Sequence, residues 1–400
     1  MSAYNERVLI AGAGPVGLVA ACALAEAGIP VTIVEVSREL PRDLRASTFH
    51  PPTLDMLERF DVSARLVEQG LVCPQWQFRD RGEGIVATFD LGLLAQDTNH
   101  PYRLQCEQWK LTELLRARLE ASDMVEIVYE AEAVSARQDD EGVTLTVRRP
   151  DGSLDHLSGR YLIAADGARS AIRKALDIAF EGQTIPEIFL SMSTHFLFDE
   201  AIPDLAPIAY LTDPNEWAVL LRTPALWRVL LPTDPNQSEA EIKDPKTMEK
   251  RLQALCPQNG AYDIVHATAY RVHERVAANY VAGRIFLAGD AAHVNNPLGG
   301  MGMNGGIHDA INLTDKLAEV WKGAPLDTMA RYERQRRKVA LETVQAQTLR
   351  NRRMMAERDP EARRAYHDEL RATVANAEAH RAYLLRSSMI QSLRDLEAVA

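Results

Sequence analysis

Val8-Leu9-Ile10-Ala11-Gly12-Ala13-Gly14-Pro15-Val16-Gly17 is the stretch on which the reading of this 400-residue chain turns. Four apolar residues form a short buried strand. Three glycines at G-x-G-x-x-G spacing then turn the chain into a helix over residues 15–27, which Gly28 ends. A second strand follows, Val31-Thr32-Ile33-Val34-Glu35. This βαβ unit implies a parallel sheet. Gly12 permits the tight turn and Gly14 lets backbone approach a pyrophosphate. Gly17 lets the helix pack closely on the strand, and the backbone N–H groups at the helix start face the phosphates. Glu35 stands where a carboxylate accepts from adenosine ribose hydroxyls. Its charge would repel a 2′-phosphate, which points to an NAD-like or FAD-like cofactor.

Composition sets the outer limits. The chain is 46% hydrophobic and 25% charged, too apolar for disorder and long enough for two or three packed domains. Its net charge of −11 argues against a nucleic-acid partner, which needs a basic footprint. Four scattered cysteines (Cys22, Cys73, Cys106, Cys256) show no C-x-x-C spacing, so neither a disulfide framework nor a zinc site is expected. His266 and His273 lack metal-ligand spacing, and no metal is expected. The longest uncharged stretch, residues 8–25, is broken by glycines and Pro15, so no membrane span is expected. Residues 1–7 are short and polar, without a signal-peptide pattern, and the expected location is the cytoplasm.

Farther along, alternating strands occupy residues 124–163, with an Asp151-Gly152 turn and a strand Tyr161-Leu162-Ile163-Ala164. Residues 185–276 read as a mostly antiparallel sheet, interrupted by a helix over 245–255. Residues 217–222 and 226–231 flank a hairpin at Thr223-Pro224-Ala225. Arg284-Ile285-Phe286-Leu287-Ala288 returns to a buried strand, and the chain is helical thereafter. The expected organisation is a discontinuous nucleotide domain (1–180 and 280–330), an inserted sheet domain (181–279) and a C-terminal helical segment (331–400). Residues 331–353 hold eight basic and two acidic residues. They read as a solvated helix face, with a dimer contact or membrane surface as the lesser alternative.

Two more motifs select the cofactor. The strand at 161–164 runs into Ala165-Asp166-Gly167-Ala168-Arg169-Ser170. The strand at 284–288 runs into Gly289-Asp290-Ala291-Ala292-His293, then Pro297-Leu298-Gly299-Gly300-Met301-Gly302-Met303-Asn304, which opens an amphipathic helix. Taken in this order, the three motifs resemble the single-component (class A) FAD-dependent aromatic monooxygenases of the para-hydroxybenzoate hydroxylase fold, over roughly residues 6–340. The fold implied is α/β: a Rossmann-like FAD-binding domain with an inserted, mostly antiparallel substrate sheet and C-terminal helices. By this resemblance Gly12, Gly14, Pro15, Val16 and Gly17 cradle the FAD pyrophosphate, and Glu35 holds the ribose. Arg45, Gln105 and Val134 are further FAD contacts, and Asp166 and Gly167 form the family's DG motif. Asp290 would bond the ribityl or phosphate-side hydroxyls. Pro297 would lie beside the flavin ring, with Gly300, Met301, Gly302, Met303 and Asn304 around its pyrimidine edge. A glycine-rich helix start suits the negative charge of reduced flavin on physical grounds as well. Residues 45–52, with His50 and a proline pair, depart from any fixed family pattern, and no thioredoxin-like C-terminal domain is expected.

The chain has one G-x-G-x-x-G unit, so NADH or NADPH would dock only transiently. The resemblance implies that O2 reacts to a flavin C4a-hydroperoxide, which hydroxylates a small electron-rich ring of phenol, hydroxybenzoate, hydroxypyridine or quinolone type. Candidate substrate residues are His195, Tyr210, Arg222 and Tyr270 on the sheet and His50 on the cofactor side. Tyrosine or histidine suits a phenol proton, and arginine a ring carboxylate. Alternatives are a reductase or dehydrogenase of the same fold, an antibiotic-modifying hydroxylase, or a non-catalytic protein retaining FAD. A flavin halogenase is disfavoured by the lack of its W-x-W-x-I-P signature. A homodimer remains open.

Overall fold

The computed structural model describes residues 6–42, 44 and 46–399. The apolar runs read from the sequence assemble into a six-stranded sheet. Its order is Val281–Ala282, Ile285–Leu287, Tyr161–Ala164, Val8–Ala11, Val31–Val34, Val125–Val128. All neighbours are parallel except the first pair. Val8 is in register with both Tyr161 and Val31, so the centre of the sheet joins segments 150 residues apart in sequence. Strands covered on both faces read as continuous apolar runs, and Val8 to Ala11 are fully buried. The helix Pro15–Glu26 packs on the 21-residue helix Met301–Trp321.

A second sheet has eight strands. Its order is His293–Val294, Ile264–Ala277, Phe180–Thr194, Trp227–Thr233, Ala218–Arg222, Ile208–Thr212, Gln75–Asp80, Gly84–Asp90. Its members therefore come from well outside residues 181–279: two strands precede residue 100 and another follows the Gly289-Asp290 motif. Strand alternation gives the sheet two apolar faces. Leu190, Met192, Leu220, Trp227 and Leu231 pack beneath the helix Pro245–Leu255. Trp76, Phe78, Phe189, Tyr210 and Val219 pack on the other side against the C-terminal helices Ala346–Ala356, Pro360–Ala375 and Ala377–Ser387. The Arg222–Trp227 pair closes the expected hairpin.

Five of the eight basic residues in 331–353 (Arg331, Arg334, Lys338, Arg350, Arg353) are exposed, in keeping with the solvated face read from the charges, and Arg336 is the buried exception. Arg336 is 1% exposed and bonds through Nε to Asp309 at 2.6 Å. Arg352 bonds both oxygens of Glu187 on the large sheet. A charge pattern along one helix does not show that acidic partners arrive from other elements. A π-helical segment, Val339–Gln345, breaks the regular helix between Thr328–Lys338 and Ala346–Ala356.

Candidate active site

The three motifs converge at the C-terminal ends of the parallel strands, the usual ligand crevice of an open α/β sheet. Gly12 has φ +100°, and a Cβ there would stand 2.5 Å from the Ala165 carbonyl oxygen. A Cβ on Gly17 would stand 2.0 Å from the Gly12 oxygen. By contrast, a Cβ on Gly14 would meet nothing within 4 Å, so the second glycine faces open space where a phosphate can approach. Val16 fills the gap between the other two glycine segments. Cβ atoms on Gly289 and Gly306 would meet its Cγ2 at 2.8 and 2.7 Å. Glu35 is nearly buried and accepts from the backbone N–H of Ala13 and of Ser37, both at 2.9 Å. It thus fixes the turn.

Asp166 accepts from the Ile172 N–H at 3.2 Å, while its buried Oδ1 has no partner in the protein. A buried carboxylate oxygen left open in this way fits a missing hydroxyl or amide donor. Gly167 follows at φ +79°. Val134 is the extra residue of a β-bulge, skipped between the pairs Thr146–Ser135 and Val147–Ala133. Asp290 is exposed in the short turn Gly289–Ala291. Arg45 lies outside the described residues.

The flavin end is built by a buried latch. Gln105 accepts from Ser47 Oγ at 3.0 Å and donates to Thr48 Oγ1 at 2.8 Å. Asn304 donates to the Thr48 carbonyl at 2.8 Å and accepts from the His50 N–H at 2.9 Å. His50 Nε2–H donates to the Gly299 carbonyl at 2.8 Å. Gly300, at φ +68°, starts the helix Met301–Trp321 without a side-chain cap, so the Met301, Gly302 and Met303 end of the helix presents backbone donors. Pro297 is half-buried at the head of this loop. These residues together fit a dinucleotide with an anionic ring at its far end.

Behind the latch lies a network the sequence did not reveal. Asp309, fully buried, accepts from the Gly289 N–H (3.1 Å), His293 Nε2 (2.8 Å) and Arg336 Nε (2.6 Å). Burial pushes its carboxyl up, but His293 and Arg336 outweigh that and hold it at about 2. His308 donates or accepts through Nε2 at Thr53 Oγ1 (2.9 Å), and burial lowers its ring to about 3. Burial, followed by the Arg103 charge, also holds His50 well below the usual range. Both rings are neutral, and so low a basicity disfavours His50 as the acceptor of a substrate proton. It acts as part of the latch.

Next to Gly299 and Met301 lies a cavity of about 20 Å³, lined by Trp76, Phe78, Arg103, Tyr210, Met355 and Tyr383 among others. Of the sheet candidates, Tyr210 lines it. Tyr270 lies on the same face, against Phe189, and burial raises its phenol to about 12. Two candidates are not brought there. Arg222 stacks at 5.7 Å on Trp227 and so belongs to the opposite face of the sheet. His195 is 60% exposed and paired with Asp263 at 2.6 Å. Trp76, Arg103 and Tyr383 were missed. Nothing in their spacing marks them, since they reach the cavity from three separate elements.

A dinucleotide cradle, an uncapped glycine helix start and an aromatic cavity beside it define a flavoprotein hydroxylase. Residues 5–347 match the family described as FAD binding domain, and the chain belongs to that family. Similar proteins are para-nitrophenol 4-monooxygenase of Pseudomonas sp. (strain WBC-3), 35% identical over 90% of this chain and 89% of that one, and 6-hydroxy-3-succinoylpyridine 3-monooxygenase of Pseudomonas putida (strain DSM 28022 / S16), 33% identical over 85% and 86%. The crystal structure of p-nitrophenol 4-monooxygenase from Pseudomonas putida DLL-E4 superposes with a TM-score of 0.91 at 32% identity, covering 97% and 98% of the two chains. The fold class, the FAD cofactor and the assignment as an FAD-dependent aromatic monooxygenase read from the motifs are therefore established. Among the described residues no helix is long and apolar enough to cross a membrane.

Proposed function

We propose that the chain uses NADH or NADPH and O2 to hydroxylate a small, electron-rich phenolic or hydroxypyridine-like ring, in the cytoplasm. The observation that carries this reading is the aromatic cavity bounded by Gly299 and Met301, which abuts the end of the site suited to an anionic flavin ring. Bound FAD supplies the electron transfer and oxygen activation. The chain's own residues do the rest. Gly12, Gly14, Gly17, Glu35, Val134 and Asp166 hold the dinucleotide, and Gln105, Asn304 and His50 fix the loop at its reactive end. The walls Trp76, Phe78, Tyr210 and Tyr383 orient the ring and exclude water. Tyr210 lines the cavity, and in this reading its hydroxyl bonds a ring oxygen. The supporting relatives act, by their names, on a nitrophenol and a hydroxypyridine. The sheet built around residues 181–279 serves the substrate in this reading, and the segments 1–180 and 280–330 serve FAD.

The test is a screen of small phenols and hydroxypyridines on the flavin-loaded enzyme, following reduced-nicotinamide oxidation, oxygen uptake and product mass. A hydroxylated product formed in step with oxygen uptake is expected. Oxygen uptake that yields only hydrogen peroxide across the whole panel counts against the reading.

A further inference from the structure

Arg103 begins the strand Arg103–Gln105, inside the protein rather than on it. It is 2% exposed, and no carboxylate among the described residues pairs with it. Its guanidinium makes one long bond, to the Ser387 carbonyl at 3.4 Å, and lies over the Trp76 ring at 5.0 Å. Its buried Nε has no partner, nor has the buried Nε1 of Trp76 beside it. Both residues line the cavity next to Gly299. Other buried arginines differ: Arg336 has Asp309, and Arg173 bonds the carbonyls of Ala168 and Ala291 at 2.9 and 2.8 Å. A buried guanidinium is held in a protein interior by pairing, and an unpaired one is strongly disfavoured. The aromatic walls supply surface for a ring but no counter-charge.

We propose that Arg103 is the counter-ion for an anionic oxygen of the substrate, so that the cavity selects aromatic anions, phenolates or ring carboxylates, over neutral rings of the same size. This rests on the hydroxylase reading above and adds the charge of the substrate to it. The Trp76 N–H stands ready as a second donor to the same oxygens, and the flanking stack of Trp76, Phe89 and Tyr383 holds the guanidinium plane in place. The positive charge also reaches His50, which it helps keep neutral. Arg103 therefore links the substrate cavity to the latch of the flavin loop.

The experiment measures equilibrium binding to the flavin-loaded protein at pH 8, by the flavin difference spectrum, without turnover. One pair of probes is 4-nitrophenolate and its neutral methyl ether. The other is 4-hydroxybenzoate and its neutral amide. For at least one pair the anion should bind roughly tenfold or more tightly than its neutral partner, and which pair does so identifies phenolate or carboxylate. Arg103→Met should weaken the favoured anion about 10- to 100-fold and leave the neutral probe unchanged, the range for losing a charge-assisted contact. Arg103→Lys should recover part of the loss. Without ligand, Arg103→Met should melt at or above the wild-type temperature, because an unpaired buried charge has gone. Equal binding of anions and neutral probes, binding of none of the four, or a lower-melting variant with unchanged anion affinity each overturns the proposal. Absence of discrimination in the wild-type protein, with hydroxylation intact, would sink the Arg103 inference alone, whereas failure of every ring to yield product would sink the hydroxylase reading.

Discussion

Gly14 and Gly17 stand three residues apart in one turn, yet alanine should fail at them for different reasons. Gly17→Ala drives a methyl into the Gly12 carbonyl oxygen, a contact that backbone cannot relieve cheaply. It should destabilise the apoprotein by about 1–3 kcal/mol or more, read from denaturant unfolding. Gly14→Ala projects into open space. It should leave the apoprotein's unfolding curve in place while weakening FAD retention roughly tenfold or more, read by equilibrium dialysis. If both variants retained flavin like the wild type, the cradle would lie elsewhere. Asp309 is the other residue to test. Asp309→Ala strands Arg336 in the interior, and the expected loss is about 3–5 kcal/mol in urea unfolding. A loss under about 1 kcal/mol would mean that Arg336 finds another partner or water.

At the scale of elements, the latch joins the segment 47–50 to the start of the helix Met301–Trp321 with two buried neutral imidazoles at its base. His50 and His308 both lie below the ordinary histidine value when folded, so the unfolded chain binds more protons than the folded one once pH falls below about 6.5. Stability is therefore constant through the neutral range. It falls as pH drops from about 6.5 toward the low folded values, by about 1.4 kcal/mol per pH unit for each histidine. Urea midpoints between pH 7 and 5 measure this, and a His50→Asn, His308→Asn double variant should flatten the slope. An unchanged slope would assign the acid sensitivity to other groups. This behaviour was not legible in the sequence. His50 was visible only as a histidine near prolines and His308 only as one position of an amphipathic helix. What neutralises each is burial by the other element, 249 and 255 residues away along the chain at the two contacts. The glycine motifs were legible because their function depends on local backbone geometry, which neighbouring residues dictate. Arg222 shows the opposite limit: its strand was correctly expected, but the period-two alternation sends it to the face away from the cavity.

Across the whole molecule, the C-terminal helices are a wall of the candidate active site. Met355, Tyr383 and Ser387 line the cavity, while Leu370 and Leu384, at 1% and 0% exposure, fasten those helices to the large sheet. Leu384→Ala should cost about 2–5 kcal/mol and loosen that cover. The readout at the site is the ratio of hydrogen peroxide to hydroxylated product, which should rise as water gains entry. A destabilised variant with an unchanged ratio would show that the wall does not protect the chemistry. The charges of residues 331–353 read as a solvated helix face, and most of them are exposed, but a charge count along one segment gives no sign of the cross-element pairs these helices make. Their partners, Glu187, Asp80 and Asp97, belong to distant elements.

The wedge that Val16 drives between Gly289 and Gly306 bears on when the protein can first hold its cofactor. The cradle's letters are complete by Glu35, but the surfaces that close around them, at Gly289 and Gly306, are made about 250 residues later. Contacts at such separation form late and slow the search for the native state. A ribosome-arrested chain ending before Gly289 should carry the whole phosphate fingerprint and still fail to retain FAD, which makes cofactor loading a post-translational event and the nascent chain dependent on protection until its second half is made.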